Sequence, residues 1–491
     1  MVQIKSAIAS FGILFAYSTI ATPLSKRAAL DDCLKTAAVP ALEFQSKDYN
    51  QSVKPFNLRV NFKPVAYSVP TTVKHIQDAV SCGAKNGIQV TPKSGGHSYG
   101  SHGLGGEDGH LIVDMRNFAN VTLNLAEQTA LIGTGGRLGD VATALYSQGK
   151  QAIVHGTCPG VGVGGLSLHG GYGMMSRGRG LTLDNILEVE LVLANSSVVT
   201  ASATKNPDLF YALRGAGAAF GIVTNFKFKT FTPPENNIVF NYNVRPGTSE
   251  NLANMVTVLQ NFAVNEQPAE LNMRLTISPG SSLGGVYYGS REDYNKLMGP
   301  LLTKLGITGG QVSNNTWIST LSAFAYGPLQ QAKPYDTHEN FFAKSLMPSW
   351  LSAPAINALA NYWNTTARTN TRAWYLMIDL HGGKSSAISK VGADSTAYAH
   401  RNATFKMQFY DRSFFGDYNP SWFSFLNGWI GNITAASPGE NFGMYINYAD
   451  TSLDKADAHK RYWLGHYDRL VGIKKAVDPK GVFEGPQLVG S

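Results

Sequence analysis

Glycine-rich loops carry the strongest chemical signal in this 491-residue sequence. Four glycine clusters lie in one half of the chain, at residues 94–100, 133–136, 160–173 and 214–218. Glycine lets the backbone approach a ligand closely, and successive exposed N–H groups can bind phosphate oxygens. A tight turn explains any one cluster, whereas four together favour an extended, buried cofactor that carries phosphate.

One loop, Gly160-x-Gly162-x-x-Gly165, matches the dinucleotide-binding fingerprint, and Asp184 lies near the distance expected of a ribose ligand. The fingerprint requires a helix after the glycines, so that the helix N-terminus meets the pyrophosphate. The glycines that follow predict that residues 166–173 form no stable helix. We therefore reject the fingerprint at this loop.

The amino end predicts export. Lys5 and the apolar run Ala7–Tyr17, followed by small residues, indicate a secretory signal peptide over residues 1–21. The dibasic pair Lys26-Arg27 is a candidate second cleavage site, which would make residues 22–27 a propeptide. No other stretch approaches the roughly 18 apolar residues of a membrane helix. We expect a secreted, extracellular protein without membrane contact.

The predicted export determines how the three cysteines are interpreted. In an oxidising compartment two cysteines should form a bridge and the third needs an explanation. Cys33 and Cys82 lie in separate helical segments near the amino end, so we assign the disulfide to this pair. Cys158 remains, in a glycine-dense, proline-flanked loop that is poor core material, which argues against an inert buried thiol.

Export also makes asparagine sequons usable as glycosylation acceptors. Asn-x-Ser/Thr sequons without a central proline begin at Asn50, Asn120, Asn195, Asn314, Asn364, Asn402 and Asn432.

Composition excludes several protein classes. At 43% hydrophobic and 15% charged residues the chain is neither disordered nor fibrous, and 51 glycines with 11% aromatic residues favour an α+β or α/β body of two or three domains. The formal net charge is +8, but no run of Lys or Arg occurs. We therefore expect a scattered solvated surface and no binding of nucleic acid.

Hydrophobic periodicity predicts the elements that position these loops. A helix begins after Thr72, short strands cover 88–90, 110–115 and 121–125, and a second helix covers 138–146.

Further along, residues 187–200 predict a hairpin, and Pro233-Pro234 indicates a domain boundary. Past this boundary the composition becomes richer in Asn, Tyr, Phe and Trp. A long helix starts after Ser452 and ends at Asp478-Pro479, with its apolar stripe at Trp463, Tyr467, Leu470 and Ile473.

Several motifs together resemble the FAD-binding half of the vanillyl-alcohol oxidase superfamily. Within it the sequence is most similar to berberine-bridge-type oxidases, especially the secreted fungal glucooligosaccharide oxidases, over essentially the whole mature chain. The motifs are Ser94-Gly-Gly-His-Ser-Tyr99, the Cys158 loop, Gly170-Gly-Tyr-Gly173, Gly180-Leu-Thr-Leu-Asp184, Asn206–Gly215, Ile378–Lys384 and Tyr445–Asp450.

The resemblance implies an α+β fold with a two-part FAD-binding domain of the PCMH type, from residues 28–234 and 442–491. A substrate domain of residues 235–441 is expected between them, as an antiparallel sheet backed by helices. The implied cofactor is FAD, bonded by His97 at its 8α-methyl carbon and by Cys158 at carbon 6. The other implied cofactor-binding residues are Gly95, Gly96, Ser98, Tyr99, Gly162, Gly165 and Gly170.

The implied activity is oxidation of the anomeric hydroxyl of a reducing-end sugar to a lactone, with O2 reduced to H2O2. Tyr448 resembles the family's base and Asp379 its partner. A carboxylate beside a phenol raises the phenol's pKa, so Asp379 would accept or orient the phenolic proton rather than stabilise phenolate. Arg274, Gln408 and Tyr445 occupy positions expected to contact the substrate.

Two other functions stay open at this point. One is a berberine-bridge-type oxidase of a secondary metabolite, and the other is a secreted flavoprotein or sugar-binding module without catalysis. The scattered histidines indicate no metal site, and we expect a monomer.

Overall fold

The computed structural model describes residues 23–333 and 336–490. The predicted signal peptide, residues 1–21, lies outside the described residues, and the first helix begins at Pro23, within the predicted propeptide. The helices are α1 Pro23–Thr36, α2 Lys47–Ser52, α3 Val73–Lys85, α4 Leu138–Gly149, α5 Val163–Leu168, α6 Ser176–Arg179, α7 Pro207–Ala216, α8 Ser249–Asn265, α9 Arg291–Lys304, α10 Trp317–Ala325, α11 Ala353–Thr365, α12 Phe423–Ala435, α13 Lys455–Trp463 and α14 Tyr467–Val477. The strands are β1 Ala66–Ser68, β2 Val90–Lys93, β3 Leu111–Asp114, β4 Val121–Asn124, β5 Thr129–Gly133, β6 Ile186–Val192, β7 Val198–Ser202, β8 Ile222–Lys229, β9 Asn237–Asn243, β10 Leu271–Ile277, β11 Ser282–Tyr287, β12 Gln311–Asn315, β13 Asn340–Leu346, β14 Ala373–Leu380 and β15 Phe405–Ser413.

Two sheets form the part of the fold that precedes Pro233. The first is parallel, in the order β1-β3-β2, and the second is antiparallel, in the order β4-β5-β8-β6-β7. The predicted hairpin over 187–200 is confirmed as the antiparallel pair β6 and β7. The predicted disulfide is also confirmed, because Cys33 of α1 and Cys82 of α3 are bonded.

The third sheet is antiparallel, in the order β12-β9-β11-β10-β14-β15-β13. Helices α8 and α12 pack on one of its faces, and α11 packs against both of these helices. On β14 the residues that point to these helices, such as Leu376 and Ile378, are buried, whereas Tyr375 and Met377 on the opposite face are half-exposed. The sheet therefore has one apolar face on a core and one open face, as expected of an antiparallel sheet. The predicted α+β architecture with a helix-backed antiparallel sheet is confirmed.

The prediction of no helix directly after the Gly160–Gly165 loop is wrong in part. Gly162 is the N-cap of the six-residue helix α5, which includes residues 166–168. The helix then ends, because Gly170 and Gly171 adopt φ angles of +142° and +81°, outside the helical region. Glycine therefore limits this helix to fewer than two turns rather than preventing it.

The single long C-terminal helix is also wrong. The segment forms α13 and α14, and α13 is capped by Asp454 rather than by Ser452. The chain turns between them at Leu464, whose φ of +48° is incompatible with a continuous α-helix. The apolar stripe still packs inward, since Trp463 and Leu470 are buried, and α14 ends before Asp478 as predicted.

Candidate active site

The glycine loops converge by direct backbone contact. Ser94 Oγ donates to the carbonyl oxygen of Thr134 at 2.5 Å and accepts from the N–H of Gly164 at 3.3 Å. A Cβ atom on Gly95 would lie 2.2 Å from the nitrogen of Gly162, and one on Gly162 would lie 2.1 Å from the nitrogen of Gly95. Only glycine fits at the contact between residues 95 and 162. This contact and the hydrogen bonds of Ser94 together join three of the four clusters.

The fourth glycine cluster packs against the C-terminal end of α5. A Cβ on Gly217 would lie 2.5 Å from the side chain of Leu168, the last residue of α5. Gly165, in the middle of α5, is exposed, and a Cβ there would meet no atom within 4 Å. The loops thus enclose one glycine-lined surface, which suits the close approach of a phosphate-bearing cofactor.

His97 and Cys158 border the same surface. The His97 ring stacks on Phe56, with centroids 4.5 Å apart. A Cβ on Gly160 would lie 3.1 Å from His97 Nε2, so the loop that carries Cys158 packs directly against this imidazole. Ser98 extends the loop by accepting the N–H of His102 at 3.1 Å.

Cys158 is exposed, yet protein surrounds it closely enough that burial raises the pKa of its thiol. Exposure to solvent and close surrounding by protein are compatible, because a group on the wall of a deep concavity has both. Thr157 and the Arg274 cation act in the opposite direction on this pKa. Cys158 in turn helps to raise the pKa of Tyr99 and Tyr448, so the thiol lies within electrostatic range of both phenols.

A row of charged residues crosses the open face of the third sheet. Arg274 on β10 lies opposite Asp379 on β14, and Asp379 lies opposite Lys406 on β15. Lys406 Nζ is 2.5 Å from Asp379 Oδ2, and Arg274 Nε is 2.9 Å from Asp379 Oδ1. The second contact is an ion pair whose angle does not suit a hydrogen bond. Burial would raise the pKa of Asp379, but the two cations outweigh burial and lower it.

Tyr448 contacts this row through Lys406. Lys406 Nζ donates to Tyr448 Oη at 2.9 Å, and the hydrogen bonds therefore run from Tyr448 through Lys406 to Asp379. Sequence analysis paired Tyr448 with Asp379 directly, whereas the structure places an ammonium group between the two side chains. Burial, and next the charge of Asp379, raise the pKa of Tyr448 well above that of a free phenol. Burial likewise lowers the pKa of Lys406, although Asp379 opposes that shift.

Aromatic rings enclose the Tyr448 hydroxyl. Tyr99 stacks on Tyr448 with centroids 5.7 Å apart, and Gln408 Nε2 donates to Tyr99 Oη at 2.9 Å. Tyr445 meets Tyr448 edge to face at 5.2 Å. The structure therefore brings Tyr99, Gln408, Tyr445 and Tyr448 together. Their positions in the sequence do not reveal this proximity.

The hydroxyl of Tyr445 binds the cofactor-side loops rather than the open face. It accepts from the N–H of Gly171 at 2.9 Å, and the side chain is 3% exposed. A Cβ on Gly170 would lie 2.7 Å from the Tyr445 ring. Lys93 packs under Gly96 in a similar way, since a Cβ there would lie 2.8 Å from Lys93 Cε, and Gly96 has a φ of +70°.

Sequence analysis missed Lys406, and also Tyr172 and Arg177. Lys406 lies 4.6 Å from the ring centroid of Tyr172. Arg177 is fully buried and donates to the carbonyl oxygens of Leu380, the last residue of β14, and of Gly382, just beyond the strand. The sequence did contain a signal for Lys406. Lys406 lies two residues before Gln408, and side chains two residues apart on a strand lie on the same face.

Beyond the charged row the open face becomes less polar. The next row across the sheet pairs Met377 with Thr276 and with Gln408. In the row after it Tyr375 stacks on Tyr410, with centroids 4.8 Å apart and planes at 7°. These rings and side chains form a floor that leads away from Tyr448 along the strands.

Tyr326 lies at the Arg274 side of this floor. It is 91% exposed, and its hydroxyl is within electrostatic reach of the Arg274 guanidinium. Its φ of +54° is uncommon for a residue with a side chain. A flat exposed ring at this place can pack against a ligand that extends out of the site.

Over residues 23–333 and 336–490, no three His, Cys, Asp or Glu side chains are grouped so that they could hold a metal ion. Within the same ranges, no helix combines the length and the apolar character needed to cross a bilayer.

Two family models match the sequence. Residues 64–202 match the FAD binding domain, and residues 444–490 match the domain described as berberine and berberine-like. The first includes His97 and Cys158, and the second includes Tyr448.

Curated relatives match along nearly the whole chain. Xylooligosaccharide oxidase of Thermothelomyces thermophilus is 44% identical over 96% of each chain. Glucooligosaccharide oxidase of Sarocladium strictum is 39% identical over 98% of each chain. Chitooligosaccharide oxidase of Gibberella zeae is 39% identical over 96% of each chain.

Solved structures superpose closely on the chain. Xylooligosaccharide oxidase from Myceliophthora thermophila C1, in complex with xylobiose, is 43% identical and gives a TM-score of 0.92 over 94% of this chain and 99% of its own. Glucooligosaccharide oxidase from Acremonium strictum, described with a 6-S-cysteinyl, 8α-N1-histidyl FAD, is 38% identical and gives a TM-score of 0.90 over 94% and 99%.

Proposed function

This chain belongs to the berberine-bridge-type family of FAD-linked oxidases, and on that premise we propose that it oxidises oligosaccharides at the reducing end. The anomeric hydroxyl becomes a lactone, which hydrolyses to the aldonic acid, and O2 is reduced to H2O2. The observation that carries the proposal is the Tyr448 hydroxyl, which is hydrogen-bonded to Lys406 and lies within electrostatic range of Cys158.

We infer that His97 and Cys158 both bond to the FAD. Three features support this: the loop of Cys158 packs against the His97 ring, Cys158 is exposed inside the concavity, and a relative of the same fold carries histidyl and cysteinyl bonds. When bound, FAD accepts a hydride from the substrate carbon and returns the electron pair to O2. Two bonds at the ring would hold it without a covering lid, which leaves the open face of the sheet accessible to a long substrate.

Tyr448 is the group that accepts the proton of the substrate hydroxyl. Lys406 donates to Tyr448 Oη, so one lone pair of the phenolic oxygen is occupied, and a second is free for the substrate hydroxyl once the phenolic proton has passed to solvent. Phenolate is the form that can act as a base, and Lys406 and Arg274 supply the positive charge that stabilises it during proton transfer. Asp379 keeps both cations in place, because each of them lies within 3 Å of one of its carboxylate oxygens.

The open face of the third sheet supports an oligosaccharide as the substrate class. Sugar rings present C–H groups on their faces and hydroxyls at their edges, and they pack on flat aromatic rings while their hydroxyls bind polar side chains. Arg274 and Gln408 offer polar groups near Tyr448, and Tyr375 and Tyr326 offer rings farther along. This arrangement favours an oligosaccharide over a single sugar.

Replacing Tyr326 with alanine should raise KM for oligosaccharides and leave kcat nearly unchanged. Stacking on an exposed ring stabilises ground state and transition state equally, so its loss affects binding alone. A loss of about 0.5–1.5 kcal/mol corresponds to a KM increase of about 2- to 12-fold. Trp350→Ala, at another exposed aromatic residue, is the control and should leave KM unchanged. Equal KM values for wild type and Tyr326→Ala would remove Tyr326 from the substrate site.

Peroxide release across a set of reducing sugars tests the proposed function. Oligomers of xylose, glucose and N-acetylglucosamine should be compared with their monosaccharides, with H2O2 measured by a coupled peroxidase assay. The proposal predicts turnover of at least one oligomer series, faster than its monosaccharide. Absence of peroxide with every sugar would overturn it and favour a secondary-metabolite substrate. A yellow protein that no substrate bleaches without oxygen would favour a binding module.

Export, oligomeric state and domain boundaries are part of the same proposal. The chain is exported after removal of residues 1–21, cleavage after Lys26-Arg27 starts the mature chain at Ala28, and the protein works as a monomer outside the cell. Its FAD-binding part comprises residues 28–234 and 442–491, and its substrate part comprises residues 235–441. In support, Pro233-Pro234 lies between β8 of the second sheet and β9 of the third sheet.

A further inference from the structure

One arginine side chain joins the two loops that carry His97 and Cys158. The Nη1 atom of Arg137 donates to the carbonyl oxygen of Gly95 at 3.1 Å and also to the carbonyl oxygen of Gly160. Gly95 lies two residues before His97, and Gly160 lies two residues after Cys158. A single guanidinium nitrogen therefore binds the backbone close to both of the proposed attachment points.

The segment that carries Arg137 is fixed to the Cys158 loop by its backbone. Arg137 and Gly162 form an antiparallel bridge. Three further backbone hydrogen bonds of 2.9–3.0 Å join residues 136–139 to residues 159–163: from Leu138 to Val161, from Gly139 to Pro159 and from Val163 to Gly136. The Arg137 side chain starts from this fixed segment and crosses to the His97 loop, so its length sets the separation of the two loops at this place.

Helix α4 does not account for an arginine at this position. Arg137 is the N-cap residue of α4 and makes no side-chain capping hydrogen bond. N-cap residues are usually Ser, Thr, Asp or Asn, and a cation near a helix N-terminus is unfavourable because of the helix dipole. The two loop carbonyl groups bind this side chain instead, through hydrogen bonds from a charged donor, which are stronger than those between neutral groups.

The link made by Arg137 is close to both attachment points. Only Gly96 separates His97 from the carbonyl group on its side, and only Pro159 separates Cys158 from the other carbonyl group. Gly96 has a φ of +70°, and glycine has the largest conformational freedom of any residue. A fixed hydrogen bond one residue away therefore limits the positions that His97 and Cys158 can take relative to each other.

We propose that Arg137 is a positioning residue, which holds His97 and Cys158 at the separation that lets one FAD bond to both. The inference rests on the double attachment proposed above. After the first bond has formed, the flavin ring moves with one loop. The second bond then requires the nucleophile of the other loop at the right distance, and this distance is what Arg137 sets.

Each attachment forms one new bond, from the His97 imidazole nitrogen to the 8α-methyl carbon or from the Cys158 sulfur to carbon 6. The nucleophile and the attacked carbon each lose one proton, and two electrons pass to the flavin. O2 then takes up the two electrons and two protons as H2O2. Arg137 enters neither bond and exchanges no proton, so its effect is on geometry alone.

Arg137→Met tests this role, because methionine fills part of the same space and donates no hydrogen bond. A 1 Å misplacement of reacting groups can slow a reaction by about 10²-fold, and we expect an effect of this order on formation of the second bond. Mass spectrometry of peptides from the purified holoprotein separates two peptides joined by one FAD from peptides with singly attached FAD. Joined peptides should predominate in the wild type and singly attached peptides in Arg137→Met, with total flavin content unchanged. A wild-type share of joined peptides in Arg137→Met would overturn the proposal.

The variants His97→Ala and Cys158→Ala distinguish the spacing of the two loops from the folding of either loop. In each of these variants only one loop has to reach the flavin. Adding Arg137→Met to either variant should therefore leave the fraction of protein with attached flavin unchanged. A loss of attached flavin in either double variant would show that Arg137 shapes one loop or contacts the cofactor, and this result would also overturn the proposal.

Arg137→Lys keeps a cation with three N–H donors on a shorter side chain. Its share of joined peptides should lie between the shares of the wild type and Arg137→Met. This variant also tests the proposal if Arg137→Met does not fold, because its share must still be below that of the wild type. Equal shares in the Lys and Met variants would contradict a role for the two hydrogen bonds.

Arg368→Met is the matched control. Arg368 is exposed, and its Nη1 atom likewise donates to a backbone carbonyl oxygen, that of Gly247, at 2.9 Å. Its share of joined peptides should equal that of the wild type, and a share as low as that of Arg137→Met would contradict a specific role for Arg137. A wild-type protein without joined peptides would instead refute the double attachment itself, so the two failures are distinguishable.

Discussion

Replacing Tyr448 with phenylalanine is expected to slow anaerobic reduction of the flavin by about 10²- to 10⁴-fold. The variant keeps the ring that stacks on Tyr99 and loses only the oxygen bonded to Lys406. Substrate binding should therefore change far less than the rate. Stopped-flow absorbance under substrate saturation measures the rate constant directly.

Tyr445→Phe is the matched control for this substitution. Its hydroxyl binds the backbone N–H of Gly171 and not Lys406, so its loss should leave the rate much closer to that of the wild type. The pH profile gives a second criterion. Because the pKa of Tyr448 is raised, the reactive phenolate becomes more abundant as pH rises, and the wild-type rate should increase from neutral to alkaline pH. Persistence of this increase in Tyr448→Phe would show that another group is the base.

Replacing Asp379 with asparagine is expected to destabilise the protein by about 3–5 kcal/mol, because it leaves two cations in a buried site without their counter-charge. Lys406 is fully buried, and Arg274 is 14% exposed in its side chain. Chemical unfolding of purified holoenzyme, monitored by fluorescence, measures the loss. Activity should fall as well, since Asp379 holds the ammonium that contacts Tyr448.

The two proteins should also differ in the pH dependence of stability. In the wild type, the lowered pKa of Asp379 gives stability that is present above the unfolded value near 3.9 and is lost as pH falls through the folded value. In Asp379→Asn, Lys406 loses the charge that opposed its burial, so its folded pKa falls further below the unfolded value near 10.4. The variant should therefore gain stability with rising pH up to about that value.

Asp411→Asn separates stability from catalysis. Asp411 is a buried carboxylate on the same strand as Lys406, and its partner Arg372 is outside the active site. This variant should lose stability without losing the rate of flavin reduction. Equal loss of rate in Asp379→Asn and Asp411→Asn would indicate that the charged row acts only through the fold.

Local features of the fold were predictable from the sequence. The hairpin of β6 and β7 follows from alternating apolar residues and a short polar turn. The bridge between Cys33 and Cys82 follows from the oxidising compartment and from the places of these cysteines in two predicted helical segments near the amino end. The break at Leu464 was not predictable, because a left-handed φ at a leucine is set by packing and not by local propensity.

The site was predictable only in its separate parts. Tyr448 and Asp379 were identified by resemblance, but Lys406 is 27 residues from Asp379 and 42 from Tyr448 in the chain. The contact among the three depends on how β14 registers against β15, which a single sequence does not specify.

The most direct test of the central claim is peptide mapping of the acid-denatured wild-type protein. The account predicts that the yellow colour stays with the precipitate and that a single FAD joins the peptides containing His97 and Cys158. The single variants His97→Ala and Cys158→Ala should each retain attached flavin, and the double variant should release all of it. Free FAD in the supernatant of the intact wild-type protein would contradict the account.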